Sequence, residues 1–427
     1  LMGCQTPGPA DAHKRVPPVM WALRLHGAGL EHLRLEQVPT PRPGPGQLLG
    51  RVEAAIACAS DSKIIDQGGA LPLMYGWDLS RWPVPIGHEG CLTVVQAGHS
   101  LGKEYAPGRR FAVQPAIPSG PRHHREQYLR QGERIEKVAI GYTLDGLFAE
   151  YVLITEEVIE TGCLLPLPDP ELSHFAAALA EPLSCVVSAQ EHTVHVLKDS
   201  PTAPRRAHLG LRPGGVVVVM GAGPMGRMHV ELALHYRPAA VIVSEPLEAR
   251  RVRAVADLEG KARRLGIRLR DTHPDQLPEV VARESGGRGA DDVIVAAGLP
   301  RLMEQSLDLL APGGVTNFFG GAREGEHMIA VDARRIHSQS ISAVGSSGGD
   351  PSDIARALAL LADGTIEPGG YIAAVGGIDA ARDLVRAVRE QRLEGKGVIY
   401  PQARAALAEV RSWGAAQEQE FLKTHLA

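Results

Sequence analysis

The 427-residue chain has few aromatic side chains, few cysteines and little net charge. Aromatic residues make up 4% of the chain, which argues against the stacking platforms that bind single-stranded nucleic acids. A formal net charge of -4 gives no general attraction to nucleic acids or to anionic lipids. We therefore expect neither nucleic acid nor a membrane as a partner.

Long apolar runs are also missing. The longest candidate, Val216 to Met220, has the length of a strand rather than of a membrane span. The five cysteines are widely spaced without a CxxC pair, which argues against a disulfide framework. Residues 1–18 are polar and rich in Pro and Gly, and we predict a disordered leader there rather than a signal peptide. We expect a cytoplasmic protein.

The residue pattern changes along the chain. From Trp21 to about Tyr151, short apolar stretches are broken by Pro and Gly, which indicates a β-rich domain with a polar surface loop at 118–136. From Val216 onward, strand and helix patterns alternate, which predicts a parallel sheet with helices on both faces. The fold class is therefore α/β. We also predict a C-terminal helix over 403–422 and a strand over 315–319 that could pair subunits.

A glycine-rich motif directly follows the buried strand Val216 to Met220. Its residues are Gly221, Gly223, Pro224, Met225 and Gly226. The first Gly permits a tight turn, the second lets the backbone approach a pyrophosphate, and the third lets the helix pack on the strand. The motif predicts a dinucleotide site, although a structural turn would give the same pattern.

An acidic residue strengthens this interpretation. Glu245 ends the next strand about 20 residues on, where a carboxylate accepts hydrogen bonds from the ribose hydroxyls. Because Glu245 would repel a 2′-phosphate, NAD is favoured over NADP. Arg250 is close enough in sequence to contact the cofactor, but an arginine on a solvated helix face is the more common explanation.

Three segments upstream carry residues of the kind that bind metals. They contain Cys58-Ala-Ser60-Asp61-Ser-Lys63, Gly87-His88-Glu89 and Glu181-Pro-Leu-Ser-Cys185. Each segment alone is weak evidence, because a lone Cys is usually buried packing and a lone His is usually structural. Their order ahead of the dinucleotide motif is what points to a shared site.

In these segments the chain resembles the zinc-containing medium-chain dehydrogenases, the family of alcohol and sorbitol dehydrogenases. The Glu-Pro-Leu-Ser segment resembles the polyol branch. A closer resemblance, to members similar to L-sorbose 1-phosphate reductase, rests on the segments 22–25, 58–68, 181–186, 210–213, 317–320 and 344–349. The resemblance implies a GroES-like β-rich catalytic domain over 19–186 and 347–427, with a Rossmann NAD-binding domain over 187–346. It also implies a homodimer or homotetramer acting on a polyol, sugar or sugar phosphate.

The resemblance implies one catalytic zinc. The residues expected to hold it are Cys58, His88, Glu89 and Glu181, with one position kept for substrate. The cation would stabilise the substrate alkoxide while a hydride leaves for the nicotinamide. The cysteines of a structural zinc lobe are absent from 118–136, and Arg122-His-His-Arg125 in that loop is taken as solvated.

The resemblance also implies proton-transfer and positioning roles near this zinc. Ser60 would pass the hydroxyl proton outward, and Asp61 would orient the ligand imidazole. Lys63, where many relatives have a His, would end the relay or touch an anionic substrate. Glu89 is expected to act both as a catalytic carboxylate and beside the metal.

One residue of the glycine–histidine–glutamate segment departs from the family pattern. Leu92 replaces a Gly of the Gly-His-Glu signature, which puts the local backbone geometry in question.

The alternative functions are a zinc-free reductase of activated double bonds, a threonine or simple alcohol dehydrogenase, and a non-catalytic nicotinamide-binding protein. The ligand-type residues argue against the first and the last of these.

Overall fold

The computed structural model describes residues 16–128, 135–323 and 325–426, so most of the predicted leader lies outside the described residues. The first part of the chain is rich in short strands, as predicted. Its strands are β1 Val19–Leu25, β2 Leu33–Pro39, β3 Leu48–Ala57, β4 Val84–Pro85, β5 Glu89–Ala97, β6 Arg110–Val113, β7 Ala116–Ile117, β8 Val138–Ala139, β9 Tyr151–Ile154 and β10 Leu164–Pro166. Its helices are α1 Asp61–Gln67, α2 Glu156–Glu160, α3 His174–Ala178 and α4 Ala180–Glu191.

A two-stranded hairpin, β11 Val194–Leu197 and β12 Arg206–Leu209, leads into the middle of the chain, where strands and helices alternate. The strands are β13 Val216–Met220, β14 Ala240–Ser244, β15 Arg268–Thr272, β16 Ala290–Val295, β17 Leu310–Phe318 and β18 Ser342–Gly345. The helices are α5 Pro224–His235, α6 Glu248–Arg264, α7 Leu277–Ser285, α8 Pro300–Asp308 and α9 Ala333–Gln339.

These six strands form one parallel sheet in the order β15-β14-β13-β16-β17-β18. This is the doubly wound order in which a dinucleotide binds at the carboxyl end of the first strand. Val216 and Val218 belong to one apolar cluster, whereas Val217 and Val219 belong to another. The sheet is therefore packed on both faces, as predicted.

The prediction that the strand at 315–319 pairs subunits is wrong. Strand β17 lies inside the sheet, where Val315 to Phe318 pair with β16 on one side and with β18 on the other. Both of its hydrogen-bonding edges are occupied, so this strand has no edge left for a partner. Of the two outer strands of the sheet, β18 is the one next to it.

The last part of the chain returns to the first. Its elements are α10 Pro351–Ala362, β19 Ile372–Gly377, α11 Ala381–Arg389, β20 Lys396–Tyr400, β21 Ala408–Glu409 and α12 Ala415–His425. Strand β20 pairs with β3, so one eight-stranded sheet contains strands from both ends of the chain. Among the described residues no helix is long and apolar enough to cross a membrane.

The substitution of Leu92 for the expected Gly is accommodated by the neighbouring strand. Leu92 is fully buried in β5, and Gly50 of β3 faces it. A Cβ atom on Gly50 would lie 2.9 Å from the Leu92 side chain, so the missing side chain at Gly50 makes the room. The β3–β5 ladder continues past this point.

The prediction of a helix over 403–422 is wrong for its first half. Residues 408–409 form β21 against β19, and the helix begins only at Ala415. Glu418 of this helix is buried and accepts the main-chain N–H groups of His174 and Phe175, both at 2.8 Å. It also accepts the Tyr400 hydroxyl at 2.9 Å. The helix is thus fastened to the start of α3.

We expect Glu418→Ala to lower the free energy of unfolding by about 3 kcal/mol, because it leaves several buried donors without an acceptor. A urea titration followed by circular dichroism measures this. Glu420→Ala, at an exposed position of the same helix, is the matched control and should leave the midpoint unchanged. Equal midpoints for the two variants would contradict the fastening role.

Candidate active site

Three of the four predicted metal ligands lie at the ends of two paired strands and converge. Cys58 directly follows β3, and His88 directly precedes β5, which is paired with β3. Ligand atoms of Cys58, His88 and Glu89 all lie within 4.8 Å of one another. This group does not include Glu181, which lies on α4 beside Glu89 and is buried. A thiol, an imidazole and a carboxylate are donors that zinc accepts together.

Hydrogen bonds hold these side chains in place. The Asp61 carboxylate bonds His88 Nδ1 at 2.8 Å and accepts the Cys58 N–H at 2.9 Å. This leaves His88 Nε2 facing the thiol side of the site. The Ser60 hydroxyl lies between the two, donating to Cys58 Sγ at 3.0 Å and lying 3.1 Å from His88 Nε2. Asp61 is thus placed where the resemblance puts the residue that orients the imidazole.

A buried lysine that the sequence reasoning missed completes the site. Lys396, at the start of β20, donates to both oxygens of Glu89, at 2.7 and 2.9 Å. Burial alone would lower the pKa of Lys396, but Glu89, Cys58 and Glu181 together outweigh burial and raise that pKa above its ordinary value. The one available signal was a lysine in Glu-Gly-Lys-Gly, next to the apolar strand 397–400.

The site has an excess of negative charge. Burial and, next, the Glu89 carboxylate raise the pKa of Glu181 above its usual range. Burial would lower the pKa of His88, yet Asp61, with smaller contributions from Tyr142 and Cys58, outweighs burial and raises that pKa well above the ordinary value. A divalent cation bound beside the two carboxylates would favour the ionised form of both. The donor set and its charge therefore fit a divalent zinc ion.

Two further side chains border the site. Lys63 is exposed on α1, one turn from Ser60. Tyr142 is buried, and its ring centroid lies 5.7 Å from that of His88. Burial raises the pKa of Tyr142 to about 12, although the neighbouring His88 and Ser60 side chains act to lower it. Sequence reasoning missed Tyr142, because an isolated tyrosine outside any motif carries no signal.

The glycine motif lies between β13 and α5. Gly221 has a φ of +113°, a conformation that side chains disfavour. A Cβ atom on Gly226 would lie 1.9 Å from the carbonyl oxygen of Gly221, so only glycine allows this close packing of helix on strand. At Gly223 a Cβ atom would meet nothing within 4 Å, and Pro224 and Met225 begin α5 there. The open turn suits a bound pyrophosphate.

Glu245 and Arg250 differ in what they contact. The buried Glu245 carboxylate accepts the N–H of Ala222 at 2.9 Å and that of Leu247 at 3.1 Å, so it lies against the glycine turn. Arg250 is paired with Glu394 at 2.8 Å. The guanidinium that the sequence places near the cofactor is thus already engaged by a carboxylate from a distant part of the chain.

Comparison with known proteins agrees with this architecture. Residues 44–169 match the alcohol dehydrogenase GroES-like domain, and residues 224–363 match the zinc-binding dehydrogenase family. The Escherichia coli (strain K12) protein named "Uncharacterized protein YggP" is 30% identical over 84% of this chain and 81% of its own. L-sorbose 1-phosphate reductase of Klebsiella pneumoniae is 28% identical over 84% of this chain and 83% of its own.

A solved structure gives the same result. A zinc-binding dehydrogenase from Sinorhizobium meliloti 1021, solved with NADP bound, superposes with a TM-score of 0.69 at 27% identity. The match covers 90% of this chain and 99% of the other. The chain belongs to the zinc-binding medium-chain dehydrogenase family. The family, the fold class and the oxidoreductase activity predicted from the sequence are confirmed.

Proposed function

We propose that the chain is a zinc-dependent dehydrogenase that transfers a hydride between NAD(H) and the carbinol carbon of a polyol or sugar phosphate. The observation that carries this proposal is the convergence of Cys58, His88 and Glu89 within 4.8 Å. The name of the Klebsiella relative, a reductase of a ketose phosphate, supports the substrate class. The Glu-Pro-Leu-Ser segment at 181–184 supports it from the sequence side.

The residues divide the work as follows. Cys58, His88 and a carboxylate from Glu89 or Glu181 would hold zinc, which when bound polarises the substrate oxygen. In the oxidative direction the C–H bond breaks, its electron pair goes with the hydride to the nicotinamide, and the O–H proton must leave. The Ser60 hydroxyl would accept that proton.

Three residues around the proposed zinc site would release the proton to solvent and position the metal ligands. Lys63 is exposed, so it would pass the proton from Ser60 to solvent or contact an anionic substrate group. Asp61 would hold His88 in one orientation. Lys396 would hold the Glu89 carboxylate through two hydrogen bonds and set how close it comes to the cation.

For the cofactor we propose NAD over NADP. Glu245 ends β14 beside the glycine turn, where a carboxylate would accept from ribose hydroxyls and repel a 2′-phosphate. Arg250 would not oppose this preference, because its charge is balanced by Glu394.

We expect Glu245→Ala to weaken NADH binding about tenfold, since it removes a charge-assisted contact of about 1.5 kcal/mol, and to raise the NADPH-to-NADH affinity ratio. Fluorescence titration with each cofactor measures both effects. Glu248→Ala, at an exposed position three residues on, is the control. An unchanged affinity ratio would show that this carboxylate does not read the ribose.

The test of the function as a whole is a substrate screen. The zinc-loaded protein is assayed with free and phosphorylated hexitols and ketohexoses and with both cofactors, following absorbance at 340 nm as the standard signal of the reduced nicotinamide. We expect turnover of at least one such pair and bound zinc in the active preparation. Reduction of an activated double bond by zinc-free protein, with no alcohol oxidised, would overturn the proposal.

A further inference from the structure

A second group of metal-ligating side chains lies where the polar loop meets α2. His123 Nε2 is 2.8 Å from Glu156 Oε2, and the main-chain N–H of Arg122 donates to Glu157 Oε1 at 2.7 Å. Ligand atoms of His123, Glu156 and Glu157 all lie within 4.8 Å of one another. None of these residues belongs to the Cys58 site.

Glu157 is the member that needs a partner. Its side chain is 1% exposed, and its Oε2 atom has no hydrogen-bond partner among the described residues. A buried carboxylate oxygen without a partner costs free energy, and native proteins rarely leave one so. Because a Glu157 oxygen lies in the group with His123 and Glu156, a cation bound there would satisfy the carboxylate.

The charges around the group leave room for a divalent ion. Three carboxylates are present on α2, those of Glu156, Glu157 and Glu160. The Arg122 guanidinium pairs with Glu160, through Nη1 at 2.7 Å, so it offsets one of them. The Gln47 amide, which carries no charge, donates to Glu156 Oε2 at 3.0 Å and lies 3.3 Å from His123 Nε2. Among the described residues no Lys or Arg side chain pairs with Glu156 or Glu157, and His123, as a neutral metal ligand, would leave both negative charges to the cation.

We propose that His123, Glu156 and Glu157 bind a second divalent metal ion, with zinc as the best match, which ties the loop to α2. One imidazole and two carboxylates suit zinc and its first-row neighbours better than they suit magnesium or calcium. The His123 side chain is 41% exposed and that of Glu156 23%, so water can reach the site and complete the coordination. The chain would then hold two zinc ions, not the one predicted from the sequence.

The experiment counts zinc in the full-length protein. Wild type, His123→Ala and His124→Ala are purified alike, dialysed against zinc chloride and then metal-free buffer, and analysed by inductively coupled plasma mass spectrometry. We expect His123→Ala to hold one zinc fewer than wild type. His124→Ala is the matched control, because that histidine is 67% exposed, pairs with Glu126 and is not one of the three proposed ligands. It should keep the wild-type content.

A second arm separates this site from the catalytic one. In a Cys58→Ala background, zinc uptake by isothermal calorimetry should include one binding event that Glu157→Gln or His123→Ala abolishes, with circular dichroism showing that each variant is folded. Equal zinc contents in wild type and His123→Ala, or an event that survives both substitutions, would overturn the proposal. If the Cys58 site did not bind zinc, wild type and His123→Ala would still differ by one zinc ion. The two proposals can therefore fail independently.

Discussion

Cys58→Ala is expected to lose the active-site zinc and to lower kcat/KM by about three orders of magnitude, because metal stabilisation of the alkoxide contributes several kcal/mol and 1.36 kcal/mol is tenfold. Alanine removes the thiolate from a group whose other donors, His88 and Glu89, stay in place. Two ligands from the protein hold zinc poorly, whereas the glycine turn at 221–226 is untouched. Affinity for NADH should therefore remain.

The measurements are zinc content, turnover on whichever substrate the screen identifies, and NADH binding by fluorescence. Cys163→Ala is the control, since Cys163 is a free cysteine outside the donor group, and this variant should bind zinc and turn over substrate as wild type does. Full turnover in the Cys58 variant would refute the ligand role. Retained zinc with lost turnover would instead assign Cys58 to positioning.

Lys396→Met is expected to lower the free energy of unfolding of the metal-free protein by about 3–5 kcal/mol, the range measured when one partner of a buried ion pair is removed. Lys396 and Glu89 are 9% and 1% exposed, so solvent cannot replace the lost ammonium group. Metal-free protein is used because a bound cation would compensate part of the Glu89 charge.

The double variant Glu89→Gln/Lys396→Met tests the cause. It removes both charges, so it should recover most of the lost stability in a urea titration. Lys423→Met, an exposed lysine on α12, should leave the midpoint where it is. If the double variant were as unstable as Lys396→Met alone, the loss would come from packing and not from an unpaired carboxylate.

Local patterns predicted the nucleotide-binding half well. The valine run at 216–219 and the glycines at 221, 223 and 226 act within a single strand–turn–helix unit, so their spacing carries the geometry. The same reasoning was wrong at 403–422. Its first half has a helix-like composition, yet pairing of Ala408 and Glu409 with β19 and the packing of Trp413 near Tyr400 override that propensity.

In the candidate site, too, the sequence predicted some features and missed others. Residue types and chain order predicted Cys58, His88 and Glu89, and the ladder of β3 with β5 brings them together as expected. The order did not predict that Glu181 stands beside Glu89 but outside the close group. It also did not predict that Arg250 forms an ion pair with Glu394, which lies 144 residues away in the chain.

The sequence by itself determined the fold class, the glycine turn and the donor types, because each depends on residues a few positions apart. Only the tertiary structure places the Lys396 ammonium group beside Glu89. Lys396 lies 307 residues further along the chain and reaches Glu89 only because β20 pairs with β3. It also decided the unpartnered oxygen of Glu157, which exists because the loop folds back on α2. The spacing of residues along the chain determines the structure of a single helix, strand or turn. The order in which the strands pair determines which distant charged side chains come into contact.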